Sequence, residues 1–339
     1  MTESFITLSI NFLIKYQMKK ILYSVLAVAA LLCSCTKETV QPSPDTGEKV
    51  RLGISVPVAG VTKVTDISTE KQVNRIQVFV FREDGAVDTW GTAEADHLVL
   101  ECTSGSREIV VLANAPQVSD IFALSDLENE ISGLTDNAPG ALVMAGRKTV
   151  DLSLSSEVTV PVTRLVARVS IEKISTAFSL GQFNDADFIV RRIYLTNVAG
   201  DVPYLKSAAP QTWYNKMGYS AEAADLIDSG ELEESVTPET AYADVHYFYC
   251  YQNASDDSFE EIWTPRHTRL VVEADLAGVR YYYPVTMPVI EANHTYTVTE
   301  LKITGPGSSS PEIPVERLDA TFNVVVDDWD EGYSGSFEI

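Results

Sequence analysis

Apolar and polar residues alternate through most of this chain. In VRLGISVPV (50–58), Val50, Leu52, Ile54, Val56 and Val58 point to one side, and Arg51, Gly53, Ser55 and Pro57 to the other. Period-two alternation marks a strand with one buried face, and Pro57 confines this one to an edge or to a strand end. NRIQVFVFREDGAVDTW predicts a strand over Ile76–Phe81, a turn at Glu83-Asp84-Gly85 and a return strand. SREIVVLANAP is a further strand ending at Asn114 and Pro116. From Ser119 to Leu134 the spacing becomes helical, with Ile121, Leu124, Leu127 and Ile131 on one face and Ser119 as a candidate N-cap.

Strands resume in ALVMAG and TVDLSLSSEVTVPVT, and TRLVARVSIEKI, with Leu165, Ala167, Val169 and Ile171 on one face, opens a second unit. DFIVRRIYLTNV, VHYFYCYQN, TRLVVEADLAG, VRYYYPVTM, HTYTVTELKITG and DATFNVVVDDW follow, interrupted by a helical insertion from about Ser220 to Glu234. Many short strands about ten residues apart, with few short helices, predict an all-β fold of antiparallel sandwiches. The length suits two consecutive β-sandwich domains, 50–163 and 164–339, abutting without a linker.

The first 49 residues lie outside this pattern. MKKILYSVLAVAALL has a basic start and twelve mostly apolar residues from Ile21 to Leu32, the profile of a secretory signal. It is shorter than the roughly 20 apolar residues that a membrane-spanning helix needs. Met18 is the expected start, which makes Met1–Gln17 an over-long gene call; alternatively Phe12–Ile14 extends the signal. The motif Leu32-Cys33-Ser34-Cys35 resembles the lipobox of bacterial lipoproteins, which implies a signal peptide over 1–34 and an acyl group, such as palmitate, on Cys35. An ordinary signal peptide with incidental cysteines is the alternative. A zinc pair would need further ligands at short spacing, and none follow. The polar stretch TKETVQPSPDTGEK has the composition of a flexible tether, assigned to 35–49.

Charge narrows the partners. With 48 acidic and 25 basic residues the net charge is −23, spread along the chain, and such a surface repels nucleic acid and anionic headgroups. Cys102 and Cys250 are too far apart for a pairing to be read from the sequence, and each reads as a buried free thiol. His97, His246, His267 and His294 stand at no ligand spacing, so neither a metal nor a cofactor is expected.

Taken in order, the pieces resemble the FimA-like fimbrillins, the major fimbrial subunits of Bacteroidales type V pili. They are the lipobox, REIVVLANAP, LVMAG, VTRLVARVSI, RRIYLTNV, YFYCYQN, TRLVVEADLAGVRYYYPVTM, IEANHTYTVTELKITGPGSSSPEIP and VVVDDW. Each piece alone is a strand with a turn; their order and spacing carry the resemblance. It implies two transthyretin-like, Greek-key sandwiches, exported as an outer-membrane lipoprotein and assembled at the cell surface into a fimbrium that supports adhesion. In the family a protease cuts the loop after the first strand, and that strand leaves together with the lipid. A strand from a neighbouring subunit then fills the groove, so subunits join head to tail.

Carried over to this chain, the displaced strand is Val50, Leu52, Ile54, Val56 and Val58. The family's stalk subunits usually present Arg to the protease, whereas this loop offers Lys63 first, then Lys71, with Arg75 against the next strand. Either the enzyme accepts Lys63 or the chain keeps its first strand and serves as a lipid-bearing anchor or accessory subunit. The candidate donor strand carries Ala320, Phe322, Val324 and Val326; alternatively that segment completes its own domain and only SGSFEI is available for donation. Expected partners are other pilus subunits, the outer membrane through Cys35, and a receptor on a host or bacterial surface.

Two other classes compete. The acids of DDSFEE (256–261) are near-consecutive, as in a solvated loop, whereas catalytic carboxylates are set apart across a cleft. No nucleophile–base pairing stands out, so no enzymatic activity is expected. Tyr247, Phe248, Tyr249 and Tyr251, and Tyr281 to Tyr283, could stack on sugars, as in a surface glycan-binding lipoprotein, but alternation sends half of each run inward.

Overall fold

The computed structural model describes residues 47–58, 68–153, 155–216, 223–256, 263–313, 315, 320–328 and 335–337. Strands β1 (Lys49–Ser55), β2 (Ile76–Arg82), β3 (Val87–Ala93), β4 (His97–Thr103) and β5 (Gly105–Ala113) come first. Next are β6 (Ile131–Gly133), β7 (Met144–Leu152), β8 (Ser155–Thr159), β9 (Thr163–Arg164), β10 (Val166–Ile171) and β11 (Ile174–Thr176). Then follow β12 (Phe188–Thr196), β13 (Val198–Ala199), β14 (Asp201–Pro203), β15 (Trp213–Tyr214), β16 (Glu234–Val236) and β17 (His246–Tyr251). The last are β18 (Arg269–Leu276), β19 (Val279–Thr286), β20 (His294–Ile303), β21 (Ala320–Asp328) and β22 (Gly335–Phe337).

The first part builds two sheets, β4-β1-β8 and β3-β2-β5-β7-β9. The second builds β17-β10-β20-β21-β22, with β11 also on β20, and β16-β12-β18-β19. Pairing is mostly antiparallel, but β1–β8, β10–β20 and β11–β20 run parallel. The β18–β19 hairpin turns at Ala277 and Gly278, both at positive φ, as a two-residue turn of the hairpin-favouring hand requires.

Side-chain alternation distributes β2 between two cores. Ile76, Val78 and Val80 join the cluster that contains Val50, Leu52 and Ile54. Phe79 and Phe81 enter a second cluster with Val110, Leu112 and Leu127. The sheet is thus covered on both faces, which is why IQVFVF is apolar almost without interruption. The larger cluster continues into Val169, Ile193, Val272 and Val298 of the second part.

The helical stretch expected over Ser119–Leu134 shortens to a single turn, Leu124–Leu127, and the chain then becomes β6. Phe122 and Ala123 donate their N–H groups to the Asp126 carboxylate and close that turn, and β6 pairs with β14 in the second part. Pairing with a distant strand outweighs the local apolar spacing. Of the insertion expected over about Ser220–Glu234, the described residues hold one helical turn, Ala224–Ile227, before β16.

At the β6–β14 contact, the Tyr251 hydroxyl donates to Ser132 Oγ (2.7 Å) and accepts from Asn137 Nδ2 (2.9 Å). Burial raises the Tyr251 and Tyr249 phenols above their ordinary range. Burial, with the Asp136 charge, pushes Tyr204 up to about 12, and burial alone pushes the Cys250 thiol up to about 12. Once the pH passes about 9, the unfolded chain releases protons from these groups that the folded chain keeps, so stability falls with further increase. The urea midpoint is expected to be lower at about pH 10.5 than at about pH 8, with a smaller drop in Tyr204→Phe.

Candidate functional site: the first strand and its seat

β1 lies inside its sheet, antiparallel to β4 from Lys49↔Thr103 to Ser55↔His97 and parallel to β8 from Arg51↔Ser155 to Ser55↔Thr159. The ladder continues past the strand: Val56 N–H donates to Asp96 O (2.9 Å), and Ser55 O and Pro57 O accept from Val160 and Val162 N–H (3.0 Å each). Pro57 sits just beyond the strand end, where its missing N–H costs nothing and its carbonyl is still used. Val50, Leu52, Ile54 and Val56 are buried, and Val58, half-buried, bridges to Val162.

On the outer face Lys49, Arg51 and Ser55 are exposed, but Gly53 is buried beneath Glu157. A Cβ at Gly53 would collide with the Glu157 carboxylate, so the glycine lets that side chain lie across the strand. Cys102 is buried with Sγ 3.9 Å from Val50 O, and Cys250 is a buried thiol in the second part.

Downstream of β1, residues 59–67, including Lys63, lie outside the described residues, as do the lipobox and Cys35. The chain reappears as a 3-10 turn, Ser68–Lys71, whose Glu70 is 1% exposed. Glu70 Oε2 accepts from Arg168 Nη1 (2.9 Å) and Oε1 from the Tyr249 hydroxyl (2.7 Å). Its carbonyl accepts from Arg164 Nε (3.0 Å), and Arg164 reaches Asn293 Oδ1 through Nη1 (3.2 Å). The carboxylate, both guanidinium groups and the phenol are all buried, so the pair is paid for by its hydrogen bonds.

Asn114, at the end of β5 with φ +57°, holds the next residues: Oδ1 accepts from Asn74 N–H (2.8 Å), and Nδ2 donates to Gln72 O and Leu142 O. Its own N–H donates to Arg75 O (3.0 Å). Lys71 and Arg75 therefore stand in a segment fixed at both ends. Glu70 gives no signal in the sequence, where STEK reads as a polar loop; Asn114 was visible only as the residue that ends a strand.

At the other end of the chain, β21 runs antiparallel to β20 from Ile303↔Ala320 to His294↔Asp328 and carries β22 on its other side. Val324 is buried, Ala320 and Phe322 pack partly buried against the main core, and the Val326 side chain is outside the described set. Among the described residues there is no group of three or more His, Cys, Asp or Glu able to hold a metal. Of the DDSFEE acids, only Asp256 falls within the described residues, and it is exposed.

The geometry defines a class first: an all-β chain of stacked sheets whose opening strand is paired on both sides, with β4 and with β8. Residues 53–173 match the family model of the major fimbrial subunit protein (FimA). Solved structures share the fold. A Bacteroides eggerthii protein described as a cell adhesion protein is 19% identical, with 84% of this chain and 97% of that one covered and a TM-score of 0.65. A fimbrilin of Porphyromonas gingivalis is 16% identical, with 84% and 98% covered and a TM-score of 0.60. A tip fimbrial protein of the same species is 13% identical, with 82% and 99% covered and a TM-score of 0.51.

Glu70→Gln leaves Arg168 buried without its counter-charge and is expected to cost about 3 kcal/mol in urea unfolding. Thr69→Ala, at the exposed neighbour, is expected to stay within about 0.5 kcal/mol.

Proposed function

We propose that this chain is a non-enzymatic fimbrial subunit that assembles by strand exchange. It is exported as a lipoprotein on Cys35, reaches the outer membrane and is cut at Lys63. β1 then leaves, and the seat between β4 and β8 takes a strand from the next subunit. The donor is the C-terminal segment bearing Ala320, Phe322, Val324 and Val326. Subunits joined this way form a head-to-tail polymer of two-sandwich units, divided near residues 163 and 164, that carries adhesion to another cell surface.

One observation carries this reading. A strand with three buried aliphatic side chains, and a fourth, Val56, just beyond it, is hydrogen-bonded on both sides and joined downstream to a segment that Glu70 and Asn114 hold independently of it. Its removal opens an apolar groove between two strand edges, a seat for strand addition. Burying each aliphatic side chain is worth about 1.5–3 kcal/mol, so the empty seat strongly favours refilling. The second reading, an uncut anchor, is favoured by the presence of Lys where the resemblance implies Arg.

N-terminal sequencing of the surface-retained protein separates the two. A start at Val64, together with ladders on denaturing gels that vanish in Lys63→Ala, is the result expected of a stalk subunit. An acylated Cys35 in assembled material identifies the anchor. Protease-treated protein that never forms ladders overturns strand exchange altogether.

A further inference from the structure

A second site lies on the outer face of the β16-β12-β18-β19 sheet, in a cavity of about 460 Å³ lined by Arg191, Arg192, Glu231, Glu233, Glu273 and Arg280, with Leu232 as its apolar member. Glu273 comes from the internal strand β18, opposite Arg192 of β12 and Tyr282 of β19. The residue is 4% exposed, and its Oε1 is taken by Arg280. Its Oε2 is buried and has no hydrogen-bond partner among the described residues. A buried carboxylate oxygen without a donor is costly, and here it belongs to a residue that lines an open cavity.

The neighbouring charges are fixed by pairs around it. Arg191 Nε donates to Asp275 Oδ2 (2.8 Å) and Nη1 to Glu233 Oε1 (3.2 Å), and Arg192 Nε donates to Asp228 Oδ1 (2.8 Å). Leu232 N–H donates to Arg191 O (2.7 Å) and draws the acidic segment along β12. Three arginines and three glutamates line the cavity, so it offers no net attraction to an ion. It does interleave donors and acceptors, and Glu273 Oε2 asks for a donor. Hydroxyl groups, which donate and accept at once, satisfy both demands. The volume falls in the range of small-ligand sites.

We infer that this cavity binds one neutral sugar unit of a glycan, with a ring hydroxyl donating to Glu273 Oε2 and the arginines donating to neighbouring hydroxyl oxygens. The lining residues include no aromatic side chain for the ring to stack on, so affinity per sugar is on the order of millimolar, and a fimbrial polymer gains strength by repetition. The site does not involve β1 and stands whether or not strand exchange occurs.

The test is titration of the purified protein with glucose, galactose, mannose and N-acetylglucosamine, read by saturation-transfer NMR and calorimetry. At least one is expected to bind with a Kd of about 1–10 mM, and its permethylated form to show no binding. Glu273→Gln, checked for an unchanged far-ultraviolet spectrum, is expected to weaken binding about tenfold or more. Should that variant misfold, Glu231→Gln at the exposed rim is expected to weaken binding severalfold. Absence of binding by every sugar at about 50 mM overturns the inference. So does an affinity unchanged in both variants, or displacement of the sugar by cadaverine at equal concentration, which would assign the site to ammonium groups.

Discussion

The backbone of β1 is hydrogen-bonded to a strand on each side, and the first part of the molecule is organised by that insertion. β4 and β8 do not pair with each other; they meet only through β1. Val50, Leu52 and Ile54 of β1, with Val56 just beyond it, share one buried cluster with Ile76, Val78, Val80, Ile109 and Val111 of the neighbouring sheet's strands, so the insert supplies a share of the core as well as the sheet's continuity. At about 1.5–3 kcal/mol for each buried aliphatic group, its contribution exceeds anything its exposed charges add. Lys49 and Glu101, 4.0 Å apart and largely exposed, trim the rim without deciding the occupant.

An insert of this kind can leave without unravelling the rest only if the chain on its far side is held by something else. Glu70 reaches across to Arg168 and Tyr249, and Asn114 adds a second hold a few residues on. Both anchors are buried polar groups with several partners each, the kind of contact that is costly to break singly. In the proposed reading, the displaced strand and the anchored segment are two halves of one design, in which local removal is decoupled from global unfolding.

The cavity around Glu273 follows a different logic. Its arginines and carboxylates neutralise one another in pairs, yet one buried oxygen is left over on an internal strand. A surface of interleaved donors and acceptors is suited to a polar neutral ligand, and repetition along a polymer turns weak sites into firm attachment. On the two proposals, assembly and recognition occupy separate sheets of the same subunit.

Where burial has one side, the sequence was a faithful guide. The alternation of Val50, Leu52, Ile54 and Val56, the DG turn before β3 and the Asn that closes β5 all reappear in place, because strand geometry and turn conformation are local properties. Tertiary contact decided the rest. Alternation in TRLVARVSI sets Arg164 and Arg168 opposite the apolar face, yet both, in β9 and β10, are buried, and the turn bearing Glu70 accepts hydrogen bonds from each. Helical spacing at Ile121, Leu124, Leu127 and Ile131 gave way to β6 because β14 offered ladder bonds from more than 60 residues away. The parallel pairing of β1 with β8, which creates the seat, joins segments about a hundred residues apart. Periodicity records which side of a strand is apolar; it holds no information on which distant backbone will lie beside it.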